Sequence, residues 1–262
     1  MLIDPRNDGH IHTALCNHAT GTMEEYVLAA IQAGMHHICF LEHMEEGIAS
    51  KRKTWLSEDD FALYFREGAR LKEEYAHQIS IGIGVEVGYN PEHVARLRVR
   101  IARREWDRIG LSYHFHRPPG ENYHLNLVSK SDIRLQQLPI EQAEIIEKAY
   151  YSNLIDAVET IPATVLCHLD GVLRYHPQRD LLEPPWSLIE ALLDAMQRKN
   201  IGLEINTSGL AIRGEVFPAR KILGMALQRK LPLFAGSDSH RPEDVGYGFE
   251  KLEDLLRELE SQ

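Results

Sequence analysis

The sequence has few cysteines, no long apolar run and no excess of positive charge. Cys16, Cys39 and Cys167 are the three cysteines among 262 residues. None belongs to a Cys-x-x-Cys pair, so we expect reduced thiols rather than disulfides or a zinc knuckle. No 18-residue apolar window occurs, which predicts neither a membrane span nor a secretion signal. We expect a cytoplasmic protein.

The charge balance restricts the partners. Lys and Arg number 29 against 39 Asp and Glu, a net charge of −10, which disfavours a large nucleic-acid or anionic-membrane footprint. A small phosphate ester remains a suitable substrate, and the oligomeric state stays open. No Gly-x-Ser-x-Gly motif occurs, and the stretch from Gly82 to Glu86 lacks the last glycine of a dinucleotide fingerprint. A covalent serine hydrolase or a nucleotide-cofactor enzyme is therefore not indicated.

Short β-branched runs alternate with longer helical patterns. Predicted strands cover residues 8–12, 37–41, 79–87, 108–114, 164–168, 201–205 and 231–236. Predicted helices cover residues 23–33, 58–75, 91–104, 139–158, 184–199, 218–228 and 249–259, and several begin with proline. This alternation predicts one α/β domain over residues 1–262, a distorted (β/α)7 TIM-like barrel. An open doubly wound sheet is the alternative, and residues 45–53 and 116–138 are predicted as long loops.

Histidine is the abundant residue, and its positions follow the predicted strands. His10 and His12 are two apart and so share one face of a strand, as two ligands of one metal must. Most later strands also end in a histidine or an acid, and the carboxyl ends of parallel strands meet on one face of a barrel. Imidazole and carboxylate ligands in such number suit zinc, manganese or iron. The pattern therefore predicts a metal cluster.

These motifs resemble the polymerase-and-histidinol-phosphatase (PHP) superfamily and, within it, the histidinol-phosphate phosphatase branch. The pieces are Asp8-Gly-His10-Ile-His12, Cys16-Asn-His18, Glu42-His43, Gly84-Val-Glu86, Ser112-Tyr-His114, Cys167-His168-Leu-Asp170, Asn206-Thr-Ser-Gly-Leu210 and Gly236-Ser-Asp238-Ser-His240. The resemblance implies a PHP-type barrel with up to three divalent ions. It also implies hydrolysis of L-histidinol phosphate to L-histidinol and phosphate in histidine biosynthesis.

The resemblance also implies a division of nine ligands among three ions. The first ion is expected on His10, His12, Glu86 and Asp238. Glu86 is expected to bridge to a second ion shared with His114 and His240. The third ion is expected on His18, His43 and His168, and Asp8 is expected behind the ligands rather than among them.

Two cations can acidify a bridging water, whose hydroxide attacks phosphorus, and can neutralise phosphoryl oxygens. Glu86, Asp238 and Arg213 are the predicted catalytic residues. Arg174, Arg213 and His116 are the predicted substrate contacts, because they follow strand ends or open the long loop on the same face.

Two other functions remain open. A PHP nuclease or another phosphoesterase would use the same metals, but single-strand binders line their loops with basic and aromatic residues. Residues 117–130 contain one aromatic residue, Tyr123. A non-catalytic metal-binding module is the second alternative, although all nine ligand positions are filled.

Overall fold

The barrel sheet is built from seven strands in a computed structural model that describes residues 3–260. The described residues contain nine strands in all, of which β5 and β6 lie outside the barrel sheet. In chain order they are β1 (Asn7–Ile11), β2 (His37–Met44), β3 (Ser80–Gly88), β4 (Ile109–Ser112), β5 (Phe115–His116), β6 (Leu125–Asn126), β7 (Val165–Leu166), β8 (Gly202–Asn206) and β9 (Leu233–Gly236). The order in the sheet is β1-β2-β3-β4-β7-β8-β9, and every neighbouring pair is parallel.

The first and last barrel strands meet beyond their ends. The amide of His12 donates to the carbonyl of Ser239 at 3.0 Å, and the amide of Asp238 donates to the carbonyl of His10 at 2.9 Å. These bonds bring the two sides of the sheet together, so the predicted (β/α)7 barrel is confirmed and the open doubly wound sheet is wrong.

Helices cover the outside of the barrel. Within residues 3–260 they are α1 (Met23–Gln32), α2 (Glu58–Glu74), α3 (Val94–Ile101), α4 (Ile133–Gln136), α5 (Ile140–Thr160), α6 (Trp186–Lys199), α7 (Gly209–Arg213), α8 (Arg220–Gln228) and α9 (Leu252–Glu260). Short 3₁₀ turns lie at Ala14–Cys16, Arg179–Leu181, Pro242–Asp244 and Phe249–Lys251. None of the helices in this range is long and apolar enough to span a bilayer.

Helix starts follow local capping chemistry. Thr22 with Glu25 before α1, and Ser57 with Asp60 before α2, form reciprocal capping boxes that satisfy the first backbone amides. The predicted start of α3 at residue 91 is wrong. Asn90 instead accepts a hydrogen bond from the amide of Glu92 at 3.1 Å. The resulting turn delays the helix to residue 94.

The longer of the two predicted loops contains short elements of its own, whereas residues 45–53 contain no helix or strand, as expected. Strands β5 and β6 form a small antiparallel ribbon within residues 115–126, and α4 follows it. The prediction of an irregular segment over residues 116–138 is therefore only partly right. Short local pairings of this kind carry little periodic signal in the sequence.

Apolar side chains fill both sides of the sheet. Large buried side chains such as Tyr26, Tyr64 and Tyr150 belong to the main core cluster. The three cysteines are free and buried, as expected. A second, smaller cluster includes Cys39, Leu41, Val165 and Cys167, and Phe234 packs against it. The barrel interior is therefore packed with side chains below the site, as in other closed parallel barrels.

The close packing of this interior gives a stability prediction at Gly84. A methyl group there would lie 2.7 Å from the Arg108 carbonyl and 2.7 Å from Leu41 Cδ1. Gly84→Ala should therefore lower the free energy of unfolding by about 1–3 kcal/mol through overpacking.

Gly224 on α8 provides the matched control because a methyl group there would meet nothing within 4 Å. Gly224→Ala should stabilise the protein by up to about 1 kcal/mol through helix propensity. Denaturant unfolding measures the free energy of unfolding of both variants. Equal changes in that free energy would contradict the close approach at Gly84.

Candidate metal centre

The nine predicted ligands meet at the carboxyl-terminal end of the barrel. They are His10, His12, His18, His43, His114, His168 and His240 together with Glu86 and Asp238. Strand register brings some of them together directly, because His43 on β2 pairs with Glu86 on β3. His10 lies within β1, and the others follow the ends of β1, β4, β7 and β9.

Glu86 lies at the middle of the cluster. Its carboxylate is fully buried. One oxygen, Oε1, lies 2.8 Å from His168 Nε2 and 3.2 Å from His114 Nε2. The other oxygen, Oε2, lies 2.8 Å from His43 Nδ1 and 3.6 Å from the Nε2 atoms of His10 and His12. One carboxylate therefore faces two separate sets of imidazoles, as a bridge between two cations requires.

Contacts among the remaining ligands define three groups. In the first, His12 Nε2 lies 2.9 Å from His10 Nε2 and 3.3 Å from Asp238 Oδ1. In the second, the Nε2 atoms of His114 and His168 are 3.5 Å apart beside Glu86 Oε1. The first and second groups thus lie on opposite oxygens of the bridging glutamate.

The third group contains His18, His43 and His240. The Nε2 atoms of His18 and His240 are 2.9 Å apart. The ring centroids of His18 and His43 are 5.1 Å apart. This grouping differs from the expected division, which placed His240 with His114 and His168 with His18. Contacts place His240 beside His18 and His168 beside His114, because β9 closes against β1, whereas β7 lies next to β4.

The donor set fits metal ions. The Nδ1 atoms of four of these histidines lie 2.8–3.1 Å from an oxygen atom. The pairs are His10 with Glu204, His18 with the Cys16 carbonyl, His114 with Glu45 and His240 with the Asp238 carbonyl. A neutral imidazole that donates from Nδ1 presents a lone pair at Nε2, which is the metal-binding tautomer.

Distances and orphaned atoms support the same conclusion. Two ligands of one ion, each about 2.0–2.1 Å from it, are roughly 2.9–3.4 Å apart, and the 2.9 Å and 3.3 Å contacts of His12 lie in that range. Glu86 Oε2 and His43 Nδ1 are buried and only 2.8 Å apart, yet neither makes a hydrogen bond of acceptable geometry. Cations at neighbouring positions would satisfy both atoms.

Burial and neighbouring charges shift the pKa values of the predicted ligands in different directions. Burial raises the pKa of Glu86, but His114, His43 and His10 outweigh it and hold that pKa well below its usual range. Burial opposes protonation of His114, but Glu86 and Glu45 raise its pKa to about 10. Burial and the neighbouring His43 lower the pKa of His18 to about 3. The cluster therefore contains both anionic and neutral donors at neutral pH.

Backbone strain accompanies the ligands at two positions. His168 and Asp238 have positive φ angles of 29° and 54°, which residues other than glycine rarely adopt outside functional sites. Asp8 helps to hold the second position. Its buried carboxylate accepts hydrogen bonds from the amides of Ser237 at 3.0 Å and Gly246 at 2.9 Å. Asp8 thus supports the ligands from behind, as expected.

A cavity of about 820 Å³ opens above the cluster. Its floor includes Glu86 and His168, and its walls come from the two long loops and from Arg174. Arg213 and His116 are not among the lining residues. Arg213 instead pairs with Asp170 at 3.0 Å.

His116 lies behind the cavity wall. Its Nδ1 atom is 3.1 Å from the hydroxyl of Tyr113, and its side chain is buried. Burial also lowers its pKa. The predicted substrate contact of His116 is therefore not supported by its position.

The barrel and its metal-ligand cluster together define a metal-dependent barrel enzyme. The family model of the PHP domain matches residues 8–208, and the chain belongs to the PHP family. A second model, PHP-associated, matches residues 219–261. That segment contains Asp238 and His240, so the cluster draws ligands from both matched segments. One domain over residues 1–262 stays a prediction.

Similar proteins carry a more specific name. The chain is 28% identical over 265 residues to a histidinol-phosphatase of Bacillus subtilis, covering 94% of this chain and 97% of the relative. It is 28% identical over 209 residues to a histidinol-phosphatase of Lactococcus lactis, covering 76% and 71%.

The fold matches a solved structure. The crystal structure of histidinol phosphate phosphatase from Lactococcus lactis, complexed with zinc, L-histidinol and phosphate, aligns with a TM-score of 0.79 and 23% identity. The alignment covers 97% of this chain and 93% of that one.

Metal binding should depend on pH. A divalent ion binds only neutral imidazole, so it must displace the proton that the raised pKa of His114 retains at neutral pH. Zinc affinity should therefore weaken as the pH falls, by about tenfold per pH unit for each proton displaced. Calorimetry in buffers of different ionisation enthalpy measures the protons released, and zinc binding without proton release would contradict the assignment of His114.

Proposed function

We propose that this protein is a metal-dependent phosphomonoesterase that hydrolyses L-histidinol phosphate to L-histidinol and phosphate. The observation that carries the proposal is the buried Glu86, whose two oxygens face separate imidazole groups at the floor of a cavity. The names of the Bacillus subtilis and Lactococcus lactis relatives support the substrate, as do the ligands in the Lactococcus lactis structure. A cytoplasmic location is part of the proposal.

The geometry supports a division of the predicted ligands among three ions. The first ion would lie among His10, His12, Asp238 and Glu86, and the second among Glu86, His114 and His168. A third would lie among His18, His43 and His240. When bound, divalent ions acidify water and neutralise the charge that develops on phosphoryl oxygens. The chain's own contribution is to fix the spacing of these donors and to close the floor of the cavity.

Arg174 is the arginine best placed to bind the phosphoryl group. Its Nε donates to the carbonyl of Val128 at 3.1 Å, which fixes the plane of the guanidinium. Its Nη1 is buried and has no hydrogen-bond partner, and the side chain lines the cavity together with His168. A phosphate dianion would satisfy this unpaired donor through a charge-assisted hydrogen bond.

Arg213 has both of its Nη atoms engaged by other residues, and its buried Nε lies 3.6 Å from Glu215 Oε1 without a hydrogen bond. Besides its ion pair with Asp170, it donates to the Val216 carbonyl and stacks 4.1 Å from the Phe217 ring centroid. Asp170 also accepts from the amide of Ala219 at 3.0 Å. These contacts support a role in attaching the segment after β8 to the end of β7, and we propose this role in place of the substrate contact expected from the sequence.

Comparing the two arginines tests this assignment. Arg174→Met should lower kcat/KM by about 10- to 150-fold at unchanged zinc content, because a charge-assisted hydrogen bond contributes about 1.5–3 kcal/mol. Arg213→Met should change kcat/KM by less than about threefold but lower the melting temperature. Steady-state kinetics with L-histidinol phosphate, together with thermal unfolding, measures both. The reverse pattern would place Arg213 on the substrate instead of Arg174.

Asp238 tests whether the cluster is catalytic. Asp238→Ala removes a carboxylate that lies 3.3 Å from His12 Nε2 and leaves the apolar core intact. Turnover should fall by at least about a hundredfold, because loss of one ligand disrupts the first metal position. Phosphate release is the measurement. Activity within a few-fold of the parent would contradict a role of this metal position in catalysis.

The residues at the rim of the cavity are relevant to the alternative substrates, nucleotides and short phosphodiesters. Lys51, Arg52, Lys130 and Arg134 line it together with Tyr123, a composition compatible with nucleotides or short phosphodiesters. Phosphate release should therefore be measured with L-histidinol phosphate beside a panel of mononucleotides and dinucleotides. We expect the highest kcat/KM for L-histidinol phosphate, and a higher value for a nucleotide would overturn the proposed substrate.

A further inference from the structure

Two buried glutamates outside the predicted ligand set lie directly behind the cluster. Glu204 on β8 is 2% exposed, and both of its carboxylate oxygens lie close to His10 Nδ1, at 2.9 and 3.0 Å. Glu45, in the loop after β2, is 3% exposed, and its Oε1 atom lies 2.9 Å from His114 Nδ1. Each glutamate thus contacts the ring nitrogen that points away from Glu86.

Both carboxylates pack against a glycine at a strand end. A methyl group on Gly88 would lie 2.0 Å from Glu45 Oε1, and a methyl group on Gly236 would lie 2.6 Å from Glu204 Oε1. Asn206 holds Glu204 further, because its Nδ2 donates to Glu204 Oε1 at 2.6 Å. The backbone therefore leaves a defined space for each buried carboxylate.

The two glutamates act on opposite sides of the bridge. His10 Nε2 lies 3.6 Å from Glu86 Oε2, whereas His114 Nε2 lies 3.2 Å from Glu86 Oε1. These histidines belong to the first and second ligand groups respectively. Each of the two proposed metal positions next to Glu86 thus has one histidine with its own buried glutamate.

We propose that Glu204 and Glu45 are positioning residues that hold the Nδ1–H of His10 and His114 and so present their Nε2 lone pairs to two different ions. The inference rests on the proposed metal centre. A carboxylate behind a ligand imidazole fixes the tautomer and the ring orientation and increases the basicity of the ligating nitrogen. Loss of such a partner lowers metal affinity about 10- to 100-fold.

A purely structural role makes a different prediction. If the glutamates only stabilise the fold, their replacement would lower the stability of metal-free protein and leave the affinity of folded protein for zinc unchanged. Positioning predicts a loss of affinity at one metal position for each glutamate. Because Glu204 and Glu45 contact different histidines, their effects should fall on different ions and should combine in the double variant.

Zinc titration of chelator-treated protein separates the two roles. Glu204→Gln places an amide group against Nδ1–H or Asn206, and it should weaken one zinc position about 10- to 100-fold. Glu45→Gln should weaken a second position by a similar factor, and the double variant should weaken both. Competition with a chromophoric chelator gives the affinities, and circular dichroism with thermal unfolding verifies that each variant is folded.

Two further variants complete the test. Glu147→Gln is the matched control, because Glu147 is 1% exposed but lies on α5, where it pairs with Arg179. Its zinc affinities should equal those of the parent. Gly88→Ala keeps Glu45 but removes the space that its carboxylate occupies. It should therefore weaken the same zinc position as Glu45→Gln, and it tests the role of Glu45 if the Glu45→Gln protein does not fold.

The outcomes distinguish this inference from the proposed function. Parent protein that binds no zinc would refute the metal centre itself. Parent protein that binds zinc, with folded Glu204→Gln and Glu45→Gln variants whose affinities lie within about twofold of it, would overturn the positioning role alone. Weakening of the same single position by both variants would also overturn it, because the two histidines would then serve one ion.

Discussion

The structure depends on the burial of one carboxylate among imidazoles. Glu86 is fully buried at the end of β3, and five histidine nitrogens approach its two oxygens within 3.6 Å. A buried carboxylate is unfavourable unless cations or hydrogen bonds satisfy it. The barrel supplies this environment because its parallel strands deliver side chains from distant parts of the chain to one end.

The surrounding polar groups offset the free-energy cost of burying the Glu86 carboxylate. Glu204 and Glu45 satisfy the outward nitrogens of two histidines, and Asp8 binds the backbone at the end of β9. Glu42 is buried beside His12 and accepts hydrogen bonds from the amide and hydroxyl of Thr13. Burial raises the pKa of Glu42 to about 8. The site is therefore a layered network in which an oxygen atom behind the ring orients four of the seven histidines.

Much of the fold and the ligand set could be predicted because both leave periodic signals. All seven barrel strands were predicted within a few residues of their bounds. Eight of the nine predicted ligands lie in a barrel strand or within four residues of its end, whereas His18 lies beyond the 3₁₀ turn that follows β1. The grouping could not be predicted from spacing. His18 and His240 are 222 positions apart, and their contact depends on how the last strand returns to the first.

The residues that contact the predicted ligands from behind are less apparent in the sequence pattern. Glu204 lies in a short buried strand two residues before Asn206, and Glu45 lies in a loop, so neither carries the histidine pattern that marked the ligands. Arg174 and Arg213 follow strand ends alike in the sequence. Only the three-dimensional structure shows that Asp170 engages the Nη atoms of Arg213, whereas Arg174 lines the cavity and keeps an unpaired Nη1.

We propose that Glu86 bridges two divalent ions. A crystal structure of zinc-loaded protein with anomalous diffraction at the zinc edge would locate these ions. We expect one anomalous peak on each side of Glu86, the first beside His10 and His12 and the second beside His114 and His168. A single peak, or peaks that do not contact Glu86, would contradict it.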